Sequence, residues 1–165
     1  MSLTDEIIAA HRKPREVLSR HFKLPMNEVL TLALALTFGL IVFCALLPSL
    51  RASSYEMGTP FVASLLPAAF GAFGLLPIIL IMLGSLQAMV QRLLGGQGRS
   101  DFARRGLVWS LVVAGPWILL SGIAQVYLPS VFAWPLAAIP FVVFAWQWVH
   151  AIKLNEKLSS ALTVG

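Results

Sequence analysis

The chain has 165 residues, of which 58% are hydrophobic and 12% charged, and its mean hydropathy is +0.84. The charged fraction is about half that of an ordinary soluble domain, so the composition leaves little room for a soluble catalytic module and indicates one all-α, polytopic membrane domain. The net charge of +5 is expected to meet lipid head groups or protein partners, and we expect no nucleic-acid partner. Cys44 is the only cysteine, which excludes an intramolecular disulfide and a cysteine-based metal site.

Residues 1–25 form a mostly polar tail without the pattern of a secretory signal peptide, so we expect the first apolar span to be retained. Thr4 can cap a first short helix, and Pro14 can begin a second one. The second helix has an apolar side with Val17 and Leu18, and three basic residues lie opposite, namely Arg15, Arg20 and Lys23. Such a helix is typical of the membrane interface, where its basic side attracts anionic lipid. The alternative is a helix packed on the protein's own cytoplasmic edge.

Four apolar stretches follow, and each can cross a hydrocarbon layer of about 30 Å as a helix of about 20 residues. The first is expected over Val29–Leu47, where Pro48 and Arg51 end it. The third and fourth are expected over Leu107–Val126 and Val131–Ile152. The sequence therefore predicts a bundle of four transmembrane helices.

The second apolar stretch, Phe61–Leu94, is too long for one ordinary span, because at 1.5 Å per residue it would measure about 51 Å. Pro67 and Pro77 each remove a helical hydrogen bond, and the two glycines between them loosen the backbone further. We expect the helix to break here. Residues 61–70 are then a short shallow or re-entrant piece, and residues 74–94 form the span.

Eleven of the twelve lysines and arginines lie in the N-terminal tail, the 92–106 connection and the C-terminal tail. Positive residues favour the cytoplasmic side, so both termini and this connection are expected there, in a bacterial cytoplasmic membrane. The predicted domains are a tail over 1–25, a transmembrane domain over 26–152 and a second tail over 153–165. Four tryptophans lie near predicted span ends, where aromatic belts form: Trp109, Trp134, Trp146 and Trp148.

Candidate chemistry is sparse in the predicted spans, since none has a charged residue in its interior. Transporters and intramembrane enzymes usually need such residues, so we expect no catalytic residue, cofactor or metal. His150 could bind a pigment, but it lies at a span edge, where a head-group contact or a cap on the helix end is the ordinary role. The remaining polar residues are expected to form hydrogen bonds between helices: Gln87, Gln125 and Gln147, with Thr37, Ser64, Ser85 and Ser121 deeper.

Small residues spaced four apart recur in the spans, as in Ala35 with Gly39 and Ser110 with Ala114. Gly84 and Ala88 form a third pair. Such pairs let helices approach closely. We therefore expect Gly39, Gly84, Ala88 and Ala114 to lie at helix contacts.

The connection between spans two and three reads GGQGRSDFARRG and does not have the spacing of a phosphate-binding loop. Gly95 or Gly96 is expected to end a helix in the left-handed conformation, and Ser100 to cap the next helix. Phe102 is expected to dip into the membrane interface. Three arginines, Arg99, Arg104 and Arg105, are then placed to hold phosphates of lipid or acidic groups of a partner. Trp109 opens the next span and is also expected to contact lipid or a partner.

The segment GGQGRSDFARRGLVWS resembles the part of Yip1-domain membrane proteins where a glycine-rich cytoplasmic turn precedes a phenylalanine, a short helix and a tryptophan. The positions that carry the resemblance are Gly95, Gly96, Gly98, Phe102 and Trp109. The resemblance implies a membrane protein, typically of five spans, so a fifth would have to lie within the broken 61–94 region. Eukaryotic members act in vesicle traffic and contact small GTPases, whereas bacterial members have no settled activity.

These patterns lead to three functional hypotheses. The first is a non-enzymatic membrane scaffold or organising factor of the Yip1 type, which acts through helix packing and a basic cytoplasmic surface that meets anionic lipid. The second is an accessory subunit of a larger energy-converting or secretory membrane complex, and the third is a small-solute transporter. Partners are therefore lipids together with other membrane subunits or further copies of the chain.

Overall fold

The computed structural model describes residues 3–23, 28–96 and 99–163, and it is an all-α bundle with no strand in these ranges. The helices are α1 (Leu3–Arg12), α2 (Pro14–Lys23), α3 (Glu28–Met57), α4 (Phe61–Ala69), α5 (Leu76–Leu93), α6 (Ser100–Tyr127) and α7 (Ser130–Thr163), and a π-helical segment (Phe70–Leu75) joins α4 to α5. Four stretches of this described part are long and apolar enough to cross a membrane. The prediction of four membrane-spanning helices is confirmed.

The central helix of the bundle is α6, which packs against α3, α5 and α7. Over half of its most apolar stretch, 56%, is buried within the protein, against 17% for the α4–α5 stretch and 17% for α7. Small and β-branched residues let the neighbours approach from several sides, such as Val108, Val112, Val113, Ala114 and Gly115. The other spanning helices therefore form an outer layer around α6.

The first span continues well beyond its predicted end at Pro48, so that prediction is wrong. Pro48 lies inside α3, which runs on to Met57. Gly58 then takes a positive φ of 63°, and the Thr59 N–H donates to the Ser54 carbonyl at 3.2 Å, which closes the helix end. Proline removes one hydrogen bond, but ending a helix within lipid would expose several backbone groups. Continuing through Pro48 is the less costly course.

The predicted break in the second span is absent, because α4, the π-helical segment and α5 form one helix over Phe61–Leu93. The residue that bears the irregularity is Leu76, whose N–H donates to the Gly71 carbonyl five residues back. A wider π turn accommodates the prolines on either side without ending the helix. Residues 61–70 are accordingly the first third of a long helix and not a re-entrant piece.

The N-terminal helices pack on the bundle, which is the second of the two alternatives that the sequence left open. Ala10, Val17 and Leu18 are buried in the same apolar cluster as Trp109 and Ala151. Their docking includes polar contacts: the Gln147 amide donates to the Ala10 carbonyl at 2.8 Å, and the Trp117 indole N–H donates to His11 Nε2 at 3.2 Å. The amphipathic face of α2 thus lies against the protein, while Ile8 stays exposed.

Candidate functional site

The start of α3, the α5–α6 connection and the last part of α7 meet at one end of the bundle, which we call the basic end. Its cations include Arg92, Arg99, Arg104, Arg105 and Lys153. The contacts that bring the three elements together are an ion pair between Arg104 and Glu28 at 3.3 Å and a hydrogen bond from the Arg99 N–H to Asn155 Oδ1 at 3.2 Å. Residues far apart in the chain therefore share this end.

The connection begins with a glycine-based helix end, as its sequence predicted. Gly95 has a φ of 84°, and its N–H donates to the Arg92 carbonyl at 3.0 Å. The Gly96 N–H donates to the Gln91 carbonyl at 2.9 Å. This pair of bonds satisfies carbonyls that the end of α5 would otherwise leave open. The helix can therefore stop here and the chain can cross towards α6.

The predicted cap at Ser100 is wrong. Arg99 occupies the cap position of α6 in an extended conformation, and no side chain makes a capping hydrogen bond there. The helix therefore begins one residue earlier than predicted, with Ser100 as its first residue and not its cap. Asp101 still lies in the first turn, where its negative charge suits the helix dipole.

A buried amide bridge connects α5, the connection and α7. Asn155 donates through Nδ2 to Gln91 Oε1 at 3.2 Å and to the Arg99 carbonyl at 3.3 Å, while its Oδ1 accepts from the Arg99 N–H. Both amide side chains are buried. Neither Asn155 nor Gln91 was predicted as a site residue from the sequence. Helical spacing could have indicated that both are buried, because Asn155 lies one turn after the buried Ala151 and Gln91 lies one turn after the buried Ala88.

The three arginines of the connection have different surroundings. Arg99 is exposed, pairs with Asp101 at 3.6 Å and lies over the Phe102 ring at 5.3 Å. Arg104 is half-buried and pairs with Glu28 of α3. Arg105 is only 1% exposed, so it lies inside the bundle. Of the three, Arg99 is the one that the structure leaves open to a phosphate or an acidic partner.

Phe102 and Trp109 also lie inside the protein. Trp109 is 0% exposed and Phe102 is buried in the same apolar cluster, so the interfacial position expected for Phe102 and the lipid or partner contact expected for Trp109 are both wrong. Residues 102, 105, 106 and 109 share one face of α6 by helical spacing. Because α6 is the central helix, almost every residue from 102 to 115 is buried, which is why an arginine, a phenylalanine and a tryptophan are buried together.

The cations of the N-terminal tail are described in part. Arg20 is exposed on α2. The side chains of Arg15 and Lys23 lie outside the described residues, as do those of His21 and Phe22. The basic side expected for this helix is therefore represented in the structure by Arg20.

The four small residues predicted at helix contacts lie where neighbouring elements come close. A Cβ on Gly39 would collide with the Ala72 carbonyl in the π-helical segment, and a Cβ on Gly84 would come within 2.5 Å of the Arg104 Cα. Ala88 and Ala114 are buried. The two glycines thus set the approach of α3 to the π-helical segment and of α5 to α6.

Glutamine side chains and hydroxyl groups in the spans differ in whether they form hydrogen bonds to another helix or within their own helix. Gln87 accepts from the Trp148 indole N–H at 3.0 Å, and Gln147 reaches α1, so both form bonds between elements. The hydroxyls of Thr37, Ser85 and Ser121 bond instead to carbonyls of their own helices. The expectation of bonds between helices is right for these glutamines and wrong for these hydroxyls, because short side chains reach the preceding turn first.

His150 forms its described contacts within its own helix. Its Nδ1 lies 2.8 Å from the Trp146 carbonyl, and its ring packs on the Trp146 ring with 4.8 Å between centroids. In the described ranges, no three His, Cys, Asp or Glu residues come together in a way that could hold a metal ion.

A lateral groove lies between α5 and α7, with Leu107 of α6 at its base. Its volume is about 620 Å³, within the range of ligand-binding cavities. Its walls are apolar along most of their length, and Gln91, Gly96 and Glu156 lie at the basic end. Among the described residues, Gln91 Nε2 is buried there with no hydrogen-bond partner. The sequence pattern contained no signal for this groove, since it depends on the spacing of two helices that each contact α6.

Comparison with known protein families, with curated proteins and with solved structures finds no match to this chain.

Proposed function

We propose that this chain is a non-enzymatic scaffold or organising factor of the membrane. The proposal is supported by the contrast in burial between the helices. Most of the apolar stretch of α6 is buried within the protein, whereas the α4–α5 helix and α7 leave most of their apolar residues exposed. Large apolar side chains on these outer faces are available to lipid and to other membrane helices. They include Met82, Leu86, Met89, Phe141, Val142 and Trp146.

The basic end supplies the second part of the proposal. Arg99 is exposed there and Arg20 is exposed on α2, and an anionic membrane surface attracts each such cation by about 1 kcal/mol. We place this end on the cytoplasmic side of a bacterial cytoplasmic membrane. The resemblance of GGQGRSDFARRGLVWS to Yip1-domain proteins is consistent with this role, and kinship to that family is part of the proposal.

The experiment that tests the role is gentle detergent extraction followed by native mass spectrometry of the purified chain. A stand-alone scaffold should be recovered as a monomer or a homo-oligomer with bound lipid. Recovery in fixed stoichiometry with a large complex would overturn the stand-alone role.

That second outcome would favour an accessory subunit of a larger complex, for which the exposed aromatic residues of α7 are the specific observation. Phe132, Trp134, Phe141 and Trp146 are all exposed along this helix. Aromatic side chains are enriched where proteins form stable interfaces. Photo-crosslinking from Phe141 distinguishes the two roles: a subunit gives one crosslinked protein species, whereas a scaffold facing lipid gives lipid adducts.

A further inference from the structure

We propose that the groove between α5 and α7 binds one phospholipid whose head group carries an amine. The proposal does not depend on the scaffold role, since it concerns a site built within a single chain. It rests on the shape of the groove and on two polar groups at its basic end.

The lining of the groove suits a hydrocarbon chain. Along α5 the groove extends from Leu83 to Leu94, which is about 16 Å at 1.5 Å per residue. Its volume is about 620 Å³. The walls are apolar, as an acyl chain requires.

The orientation of the Gln91 amide follows from its neighbours. A backbone N–H can only donate, so the Arg99 N–H must face Asn155 Oδ1. Asn155 Nδ2 is then the atom that points to Gln91, and it donates to Gln91 Oε1. Gln91 Nε2 is therefore left at the groove, where it is buried without an acceptor in the described part of the chain. An unmet donor in an apolar wall is best satisfied by an acceptor on a ligand.

Glu156 defines the charge of the head group. It lines the same end of the groove, and its Oε1 would lie 3.6 Å from a Cβ placed on Gly96. A carboxylate at this position attracts an ammonium group and repels a head group that is anionic throughout. A primary ammonium can also donate hydrogen bonds to the carboxylate, which the trimethylammonium of phosphatidylcholine cannot. A phosphate or ester oxygen on Gln91 Nε2 and a primary amine on Glu156 together describe phosphatidylethanolamine.

The test uses the full chain in mild detergent after delipidation, with phosphatidylethanolamine, phosphatidylglycerol or phosphatidylcholine added back in separate samples. Native mass spectrometry should show one phosphatidylethanolamine retained, with at least fivefold higher occupancy than the other two lipids. Equal retention of all three lipids, or preference for phosphatidylglycerol, would overturn the proposal.

Substitutions at Gln91, Leu86 and Glu156 test whether the lipid lies in this groove. Gln91→Met is neutral and of similar size and removes the donor, while Asn155 Nδ2 keeps its bond to the Arg99 carbonyl. Leu86→Trp fills the apolar wall without touching the amide bridge. Both should lower occupancy by fivefold or more while circular dichroism and gel filtration stay unchanged. Glu156→Gln should remove the preference for the amine head group but leave acyl-chain binding. Gln125→Leu, at another cavity, is the matched control and should bind as the wild type does.

Unchanged occupancy in Leu86→Trp would place the lipid elsewhere and refute the site. A protein captured by photo-crosslinking from Val90 in place of lipid would do the same, because it would make the groove a helix-docking surface.

Discussion

Gly84 lies where α5 passes closest to α6, because a Cβ there would meet the backbone of Arg104 and not the end of a flexible side chain. We expect Gly84→Ala to force the helices apart and lower the free energy of unfolding by about 1–3 kcal/mol, as overpacking of a close contact does. Thermal denaturation in detergent measures the change. Gly71→Ala is the matched control, since nothing lies within 4 Å of its added Cβ. Equal melting temperatures for the two variants would contradict this close contact.

Arg99 and Arg105 are expected to separate lipid binding from stability. Arg99 is exposed, whereas Arg105 is enclosed in the bundle. Arg99→Ala should reduce the thermal stabilisation that phosphatidylglycerol gives at low salt, because an exposed cation is lost. Arg105→Ala should lower the melting temperature without added lipid, because it removes packing and leaves interior space. The reverse pattern would show that the assignment of the two residues is wrong.

The burial of Arg105 could be predicted from the sequence only in part. Helical spacing alone puts Phe102, Arg105 and Trp109 on one side, and this was available from the sequence. The direction in which that side points was not available, since it depends on where α3, α5 and α7 lie around α6. Arg105 was predicted to contact lipid because it is charged, but the packing of the neighbouring helices around α6 buries it.

Among the elements, α1 and α2 have an amphipathic pattern that predicted a face but not its partner. Leu18 is buried against the bundle and Ile8 is exposed. Leu18→Asp should release these helices, because a charge cannot be buried in the apolar cluster without a partner. Limited trypsin digestion should then cut the bond after Arg12 several-fold faster. Ile8→Asp is the control, and faster cleavage in that variant too would argue against a docked N-terminal segment.

Helix ends were the least predictable feature of the elements. The helix end at Gly95 was predicted correctly because a left-handed backbone conformation favours glycine in water and in lipid alike. Pro48 and the proline pair around the π-helical segment were taken as breaks by a rule that holds in water. Within lipid, the backbone must satisfy its own hydrogen bonds, so both helices continue where a soluble protein would turn. The length of an apolar stretch therefore predicts that such a span exists better than it predicts where the span ends.

At the scale of the whole molecule, the position of the basic end predicts membrane topology. The cations of the N-terminal tail and of the 92–106 connection should keep both segments on the cytoplasmic side, so labels on Ser2 and Ser100 should react from the same side. With Cys44 replaced by alanine, single cysteines at those two positions should both be protected from an impermeant reagent in intact cells and exposed in inverted vesicles. Labelling from opposite sides would overturn the proposed orientation.

The number of spans and the all-α class followed from composition and apolar length, which act over the whole chain. The lateral groove and the amide bridge did not, because each needs side chains from helices that are remote in sequence. Asn155 and Gln91 are separated by 64 positions, and no local pattern connects them. The candidate site is therefore a property of the assembled bundle.

The unbroken helix through the π-helical segment has a further consequence for the surrounding lipid. Its 33 residues correspond to about 50 Å, well above a hydrocarbon layer of about 30 Å. Val62, Leu66 and Phe70 on its first third are exposed and apolar, so water is a poor environment for them. Hydrophobic mismatch of this size favours thicker bilayer, and the chain should therefore accumulate in the thicker regions of a laterally uneven membrane.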